Sequence, residues 1–224
     1  MAASHVGAAE YVPKNSSLQA LRTAVQSCRG CDLYKHATRA VLGEIQGNRQ
    51  RSHAAIMMIG EQPGDKEDIA GRPFVGPAGR LLDDCLAQAG IDRNSVYVTN
   101  SVKHFKWEQR GKIRLHKRPS VGEVHACRPW LDAELKVIRP ELIVCLGAVA
   151  AQGLLGSRFR VTLSHGILQR ASEFPPILAT IHPASILRAS TDADRHDQTA
   201  LFVDDLRKAG EYLTSLGHVY VNET

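Results

Sequence analysis

The sequence predicts a single α/β domain built on a central, mostly parallel four-stranded sheet flanked by helices. Four short apolar runs carry that expectation: AAIMMIG (54–60), VYVTNSV (96–102), LIVCLG (142–147) and ILATI (177–181) recur with helical segments between them. Strands that alternate with helices pack as covered parallel sheets. The first run is continuously apolar, as suits a strand buried on both faces. A chain of 224 residues is long enough for one sizeable core.

Taken in order, residues 1–15 are expected to form a loose arm ahead of a domain spanning 16–216. Asn15, Ser16 and Ser17 are N-cap candidates for a helix through SLQALRTAVQS, where Leu18, Leu21 and Val25 share a face. That helix ends near the pair Cys28 and Cys31. The segment IQGNRQRSH (45–53) reads as a polar loop. After the first strand comes GEQPGDKED, and a Gly/Pro-rich turn from Gly71 leads into a helix over about Ala78–Ala89. Pro119 and Ser120 open a long helix through SVGEVHACRPWLDAELKVI, which Pro129 is expected to kink. A short helix, AVAAQGLLG, follows the third strand. A β-hairpin region is expected about VTLSHGILQR, and an amphipathic helix over about 197–214 closes the chain.

Between the second strand and the long helix lies an exposed basic stretch. It carries Lys103, Lys106, Arg110, Lys112, Arg114, Lys117 and Arg118, opposed by Glu108 alone, with Phe105, Trp107, His104 and His116 among them. Much of the net charge of +5 comes from here. Basic residues with interleaved aromatics suit a partner that offers both phosphates and flat bases; the plain alternative is a solvated basic loop. No run approaches the roughly 20 apolar residues of a membrane span. The N-terminus lacks a basic head followed by an apolar core, so a cytoplasmic location is expected. Five cysteines are an odd number and do not suggest a disulfide framework. Cys28-Arg-Gly-Cys31 reads as metal-binding or redox-active, whereas Cys85 and Cys145 read as structural thiols.

Ligands of parallel α/β sheets bind at the carboxyl ends of the strands. Glu61 and Gln62 follow the first strand, Asn100 the second, Gly147 the third and His182 the fourth. Singly, each polar residue is equally a turn former or helix cap; together they suggest chemistry. A fixed Asn pairs with the N–H/C=O edge of a pyrimidine such as uracil, and Phe74 offers a stacking plate, or simply a core residue. Glu61 could stabilise a cationic transition state while His182 donates to a leaving base, which would break an N-glycosidic bond.

Cys28-Arg-Gly-Cys31, GEQPGDKED (60–68), GRPFVGPAGRLLD (71–83), VYVTNSVK (96–103), ACRPWL (126–131), Leu146-Gly147 and HPASILR (182–188) resemble, in order, the iron-sulfur uracil-DNA glycosylases of the family 4 type. The similarity runs from about residue 28 to 207. Within that family the chain is closer to the UdgX type. Gln62 stands where family 4 reads Ala, His104 where it reads Cys, and Lys112-Ile113-Arg114-Leu115-His116 is similar to a KRRIH loop, departing from it at Ile113 and Leu115. The resemblance implies excision of uracil followed by covalent retention of the DNA through His116 bonded to the sugar C1′. It also implies a pocket of Phe74, Asn100, Gln62 and His182 about the base, with Glu61 facing the sugar and Asp65 positioning Glu61 or a water. Lys103, Lys106, Lys112, Arg114, Lys117 and Arg188 would contact DNA, Arg114 either there or by holding the loop. Cys28, Cys31, His104 and Cys127 would hold a [4Fe-4S] cluster, with structural zinc as the alternative. The partner is uracil-containing DNA, single- or double-stranded, and a monomer is expected. Two rival readings stand beside this one: a turnover family 4 enzyme with water as nucleophile, and a non-catalytic metal-bearing nucleic-acid binder.

Overall fold

The computed structural model describes residues 7–14, 17–46 and 53–217. Within them, α1 (Leu18–Ala24) is followed by β1 (Glu44–Ile45), β2 (Ile56–Gly60), α2 (Asp65–Ala70), α3 (Pro77–Gln88) and β3 (Val96–Asn100). Next come β4 (Trp107–Arg110), β5 (Ile113–His116), α4 (Val121–Ile138), β6 (Leu142–Leu146), α5 (Ala148–Leu155) and α6 (Val161–Ser164). The chain continues through β7 (Leu168–Gln169), β8 (Ile177–Thr180), α7 (Pro183–Ile186) and α8 (Asp192–Ser215).

Alternation along the strands gives the sheet two apolar faces. Ile56 and Met58 of β2, Val96 and Val98 of β3, and Val144 of β6 pack with Leu82 and Leu86 of α3 and Phe202 and Leu206 of α8. Their neighbours Met57, Ile59, Tyr97, Ile143 and Cys145 face the other way, against Leu131 and Ile138 of α4 and Ala150 and Ala151 of α5. A third cluster joins Cys28, Cys31 and Leu33 to Ala126, Cys127 and Trp130 of α4.

The four predicted strands are present and parallel to one another, in the order β3-β2-β6-β8. The sheet is nevertheless six-stranded, because β1 and β7 pair antiparallel at its two edges. Each edge strand is two residues long, too short for any periodicity to betray. The hairpin expected about 161–170 is corrected accordingly: its first part is the helical turn α6, and Leu168 and Gln169 pair with β8. α8 begins at Asp192, earlier than expected, where the Thr191 hydroxyl accepts from the Asp194 amide.

The basic stretch is ordered. β4 and β5 form a two-stranded antiparallel ribbon in the register Trp107↔His116 and Gln109↔Arg114. Directly paired residues share a face, so Trp107, Gln109, Arg114 and His116 lie on one side of it. The N-terminal segment is not loose where it is described: Ala8 is buried and its amide donates to the Ala126 carbonyl at 2.8 Å. Ser17 caps α1; Asn15 and Ser16, like residues 47–52 of the expected polar loop, lie outside the described residues. α4 carries the Ser120–Glu123 capping box and runs helical through Pro129 to Ile138.

α3 is pressed against the loop before it. A Cβ at Gly79 would lie 1.8 Å from the Phe74 carbonyl oxygen, and Phe74 itself is held in the left-handed region at φ +54°. Backbone cannot yield as a flexible side chain does. Gly79→Ala is therefore expected to cost about 1–3 kcal/mol, read as a lower chemical-denaturation midpoint, with Phe74 displaced.

Candidate active site

At the carboxyl edge of the parallel strands lies a cavity of about 210 Å³, lined by Glu61, Gln62, Gly64, Glu67, Phe74, Ala78, Asn100, His116, His182, Ala184 and Arg188. That is below the roughly 300–1,000 Å³ of drug-sized sites and suits a single small ring. A larger concavity of about 1020 Å³ between residues 9–14 and 17–19 and α4 gathers, among the described residues, no comparable set of acids, amides and imidazoles. The smaller one is where the chemistry converges.

Glu61, Phe74, Asn100, His116 and His182, which the sequence singles out, all line this one cavity. Gly60 makes the close approach possible: a Cβ there would lie 2.4 Å from Asn100 Oδ1 and 2.9 Å from the Phe74 ring. Asn100 is buried, and its side-chain amide bonds to no protein group among the described residues. The rings of Phe74 and His182 lie nearly parallel, 24° apart. His182 Nδ1 accepts from the Ala184 amide at 3.0 Å as the N-cap of α7. Its proton therefore sits on Nε2. Burial, reinforced by the Arg188 charge and by His116, holds the imidazole neutral by pushing its pKa down to about 4.

Among the described residues, Glu61 Oε1 is buried without a hydrogen-bond partner and lies 3.7 Å from His116 Nε2. Burial raises the Glu61 carboxyl, and the charges of Arg118 and Arg188 oppose that rise. His116 is half-exposed; burial of its inner side, then Arg188, lowers its pKa, favouring the neutral imidazole. Its ring also rests near Phe105, which is buried beneath the ribbon.

Several predicted roles are corrected by the partners these side chains find. Gln62 lines the cavity with its amide engaged by backbone: its Nε2 donates to the carbonyls of Lys106 and Lys117, and its Oε1 accepts from the Lys106 amide. It thereby pins the foot of the ribbon. Asp65 is not in the cavity lining but takes the Arg114 Nε at 2.6 Å. Arg114 also bonds the buried Asp68 and lies over Phe105 and Trp107, so it holds the ribbon and is not free for phosphate. Lys103 is fully buried against Glu134 and cannot touch DNA. Lys106 bonds Glu123 and Lys117 bonds Glu108, both keeping part of their surface exposed; Lys112 and Arg188 are exposed.

Two residues escaped the sequence reading. Glu67 joins the walls of the cavity, accepting from the Gly64 amide at 3.1 Å and the Gly76 amide at 2.7 Å; its place three residues after the α2 N-cap was the available signal. Arg118 was seen only as charge, yet it acts on Glu61.

Cys28, Cys31, Cys127 and His104 are all buried. The three thiols share one apolar cluster; Trp130 Nε1 donates to Cys28 Sγ and the Lys103 amide to Cys127 Sγ. Burial raises the thiols of Cys31 and Cys127, the latter to about 12, and lowers His104 to about 4. Among the described residues, no three His, Cys, Asp or Glu side chains converge closely enough to share one metal ion. Three buried thiols, two of them accepting from N–H donors, and a buried imidazole are the donor types that an iron-sulfur or zinc centre takes.

A covered parallel sheet that gathers a carboxylate, an amide and an imidazole at its carboxyl edge, with a second imidazole brought in by the ribbon, has the architecture of an α/β enzyme. The comparisons make this specific. The model of the uracil DNA glycosylase superfamily matches residues 47–207. The chain is 36% identical over 202 residues to a type-4 uracil-DNA glycosylase of Archaeoglobus fulgidus, covering 87% of this chain and 92% of that one. Similar proteins of the same description come from Pyrobaculum aerophilum (34% identity; 76% of this chain, 85% of that one) and Thermotoga maritima (33%; 86% and 93%). The chain belongs to the uracil-DNA glycosylase superfamily.

Two outcomes follow for the site. Gln62→Ala removes three hydrogen bonds at the foot of the ribbon, so amide exchange over 106–117 should accelerate about tenfold or more, for about 1–3 kcal/mol lost locally, while exchange in β2 and β6 stays unchanged. His182 binds its proton less readily folded than unfolded, so the unfolded state gains protons first and stability falls as pH drops from about 6.5 to about 4. His182→Asn, which keeps an N-cap acceptor, should show a shallower loss of thermal midpoint across that window.

Proposed function

We propose that the protein excises uracil from DNA and retains the abasic product covalently through His116. The observation that carries this reading is His116 itself: a neutral-leaning imidazole presented on the cavity wall beside a buried, unpartnered Glu61 oxygen. Asn100 would pair with the N–H/C=O edge of the flipped base and Phe74 would stack on it. As the bond between uracil N1 and C1′ breaks, its electron pair passes to the base. The Nε2–H of His182 would stabilise the charge developing there, as a preorganised neutral donor. Glu61, opposite, would stabilise the cationic sugar.

The lone pair of the His116 imidazole then forms the C1′–N bond, and the imidazole's remaining N–H proton is released to Glu61 or solvent. Such a C–N bond has no easy leaving group. Lys112, Arg118 and Arg188 supply the exposed positive rim for phosphates. A second reading, with water as nucleophile and turnover of product, is favoured by the relatives, which are described as type-4 uracil-DNA glycosylases. In both readings Cys28, Cys31, His104 and Cys127 would hold a [4Fe-4S] cluster. Bound there, it would supply a rigid cross-link between the N-terminal segment, the end of β3 and α4.

The test is a denaturing gel of the protein with a uracil-containing single-stranded oligonucleotide. A uracil-dependent band that survives heat and detergent in the wild type, and is lost in His116→Ala, is expected. Abasic DNA without that band would establish the turnover reading, and neither product would leave only a nucleic-acid binder. Because the lone pair of His116 is the nucleophile and its pKa is lowered, the adduct-forming rate should be level from pH 8 to about 6.5 and decline only below the usual histidine range.

A further inference from the structure

Lys103 has the look of a surface cation in the sequence and is instead one of the largest fully buried side chains of the molecule. Its Nζ donates to the Asn100 carbonyl at 2.6 Å, to Thr99 Oγ1 at 2.8 Å and to Glu134 Oε2 at 2.5 Å. Its own backbone amide donates to Cys127 Sγ at 3.3 Å. Glu134, equally inaccessible, accepts further from Tyr97 Oη, Thr99 Oγ1 and the Gly43 amide.

We infer that Lys103 is a positioning residue for base recognition, fixing the backbone of Asn100 from beneath and joining it to the thiol centre at Cys127. The inference rests on the proposed role of Asn100 in reading uracil. Its physical basis is the contrast between the two ends of Asn100. Among the described residues no hydrogen bond orients its side-chain amide, which lines the cavity, so its aim depends on where its backbone is held. β3 ends at Asn100; beyond it the amides of Ser101 and Val102 still donate to the Gly60 and Glu61 carbonyls, while the Asn100 carbonyl itself is taken by Lys103 Nζ. An ammonium with three oxygen partners and no exposure cannot relocate without leaving a buried charge unpaired. It therefore fixes the Asn100 carbonyl more firmly than a neutral donor on a flexible side chain would. A purely stabilising ion pair would have no need to include that carbonyl.

The test must separate positioning from stability. Lys103→Met alone leaves Glu134 buried without its counterion and is expected to fold poorly. Lys103→Met with Glu134→Gln removes both charges. The Gln carbonyl can still accept from Tyr97 and Gly43, while the Asn100 carbonyl loses its donor. Thermal midpoint, visible absorbance per chain, inhibition by free uracil, affinity for the same DNA lacking uracil, and the single-turnover excision rate would be measured in wild type and double variant.

Positioning predicts a near-wild-type midpoint and unchanged affinity for plain DNA, with free uracil inhibiting about tenfold more weakly and excision about 10- to 100-fold slower. Wild-type uracil inhibition and rate in a folded double variant would overturn the inference. Should that variant not fold, Thr99→Val removes one acceptor of Nζ and leaves Asn100 and Glu134 in place. Uracil inhibition weakened out of proportion to stability would then support the inference, and unchanged inhibition would overturn it. A wild-type protein that neither excises nor is inhibited by uracil would sink the proposed function itself, and is distinguishable because the failure precedes any substitution.

Discussion

A carboxylate with no route to solvent, Glu134, sets the terms for this molecule. A buried charge is tolerated only when it is paired and its remaining lone pairs are filled. Glu134 meets both demands by drawing in a loop amide, two residues of β3 and the ammonium of Lys103. Each lies on a different part of the chain from α4, which carries Glu134. The strand that ends in Asn100 and the helix that carries Cys127 are consequently locked together. A hydrophobic replacement of the same volume could match its stability, but it would not dictate where the Asn100 carbonyl points.

The same physics recurs at the ribbon. Asp68 is buried and accepts from the amides of Thr38 and Arg39 as well as from Arg114. The ribbon is tied down further by Trp107 Nε1 on the His36 carbonyl and by the Gln62 amide at its foot. An isolated two-stranded hairpin is marginal in water. Here it is held by charged hydrogen bonds from Arg114 to Asp65 and Asp68 of α2, Asp68 in turn accepting from the Thr38 amide in the segment that follows the Cys28–Cys31 pair, and His116 is thereby presented to the cavity. The nucleophile candidate and the thiol centre are thus mechanically linked although neither touches the other in sequence.

Charge counted along the chain consequently overstated the exposed basic surface. Lys103 and Arg114 are consumed by internal carboxylates, and Lys106 and Lys117 are shared with Glu123 and Glu108. What remains facing outward is a smaller rim about the cavity mouth, including Arg118 and Arg188, whose charges also act on Glu61. Among the described residues, no helix is long and apolar enough to cross a membrane.

The sequence by itself determined the parallel core, because strands buried on both faces write their apolar runs directly into the chain. It also determined which residues stand at the strand ends, since Glu61, Asn100 and His182 each follow such a run immediately. It could not determine partners. Whether Gln62 faces a base or a backbone carbonyl, whether Asp65 faces a water or Arg114, and whether Lys103 points out or in depend on residues some 30 to 50 positions away. The two-residue edge strands were hidden for a related reason, being specified by their neighbours' unpaired backbone and not by any pattern of their own. Only the tertiary structure decided those, because a polar side chain's role is set by what closes around it, whereas an apolar strand needs only its own period.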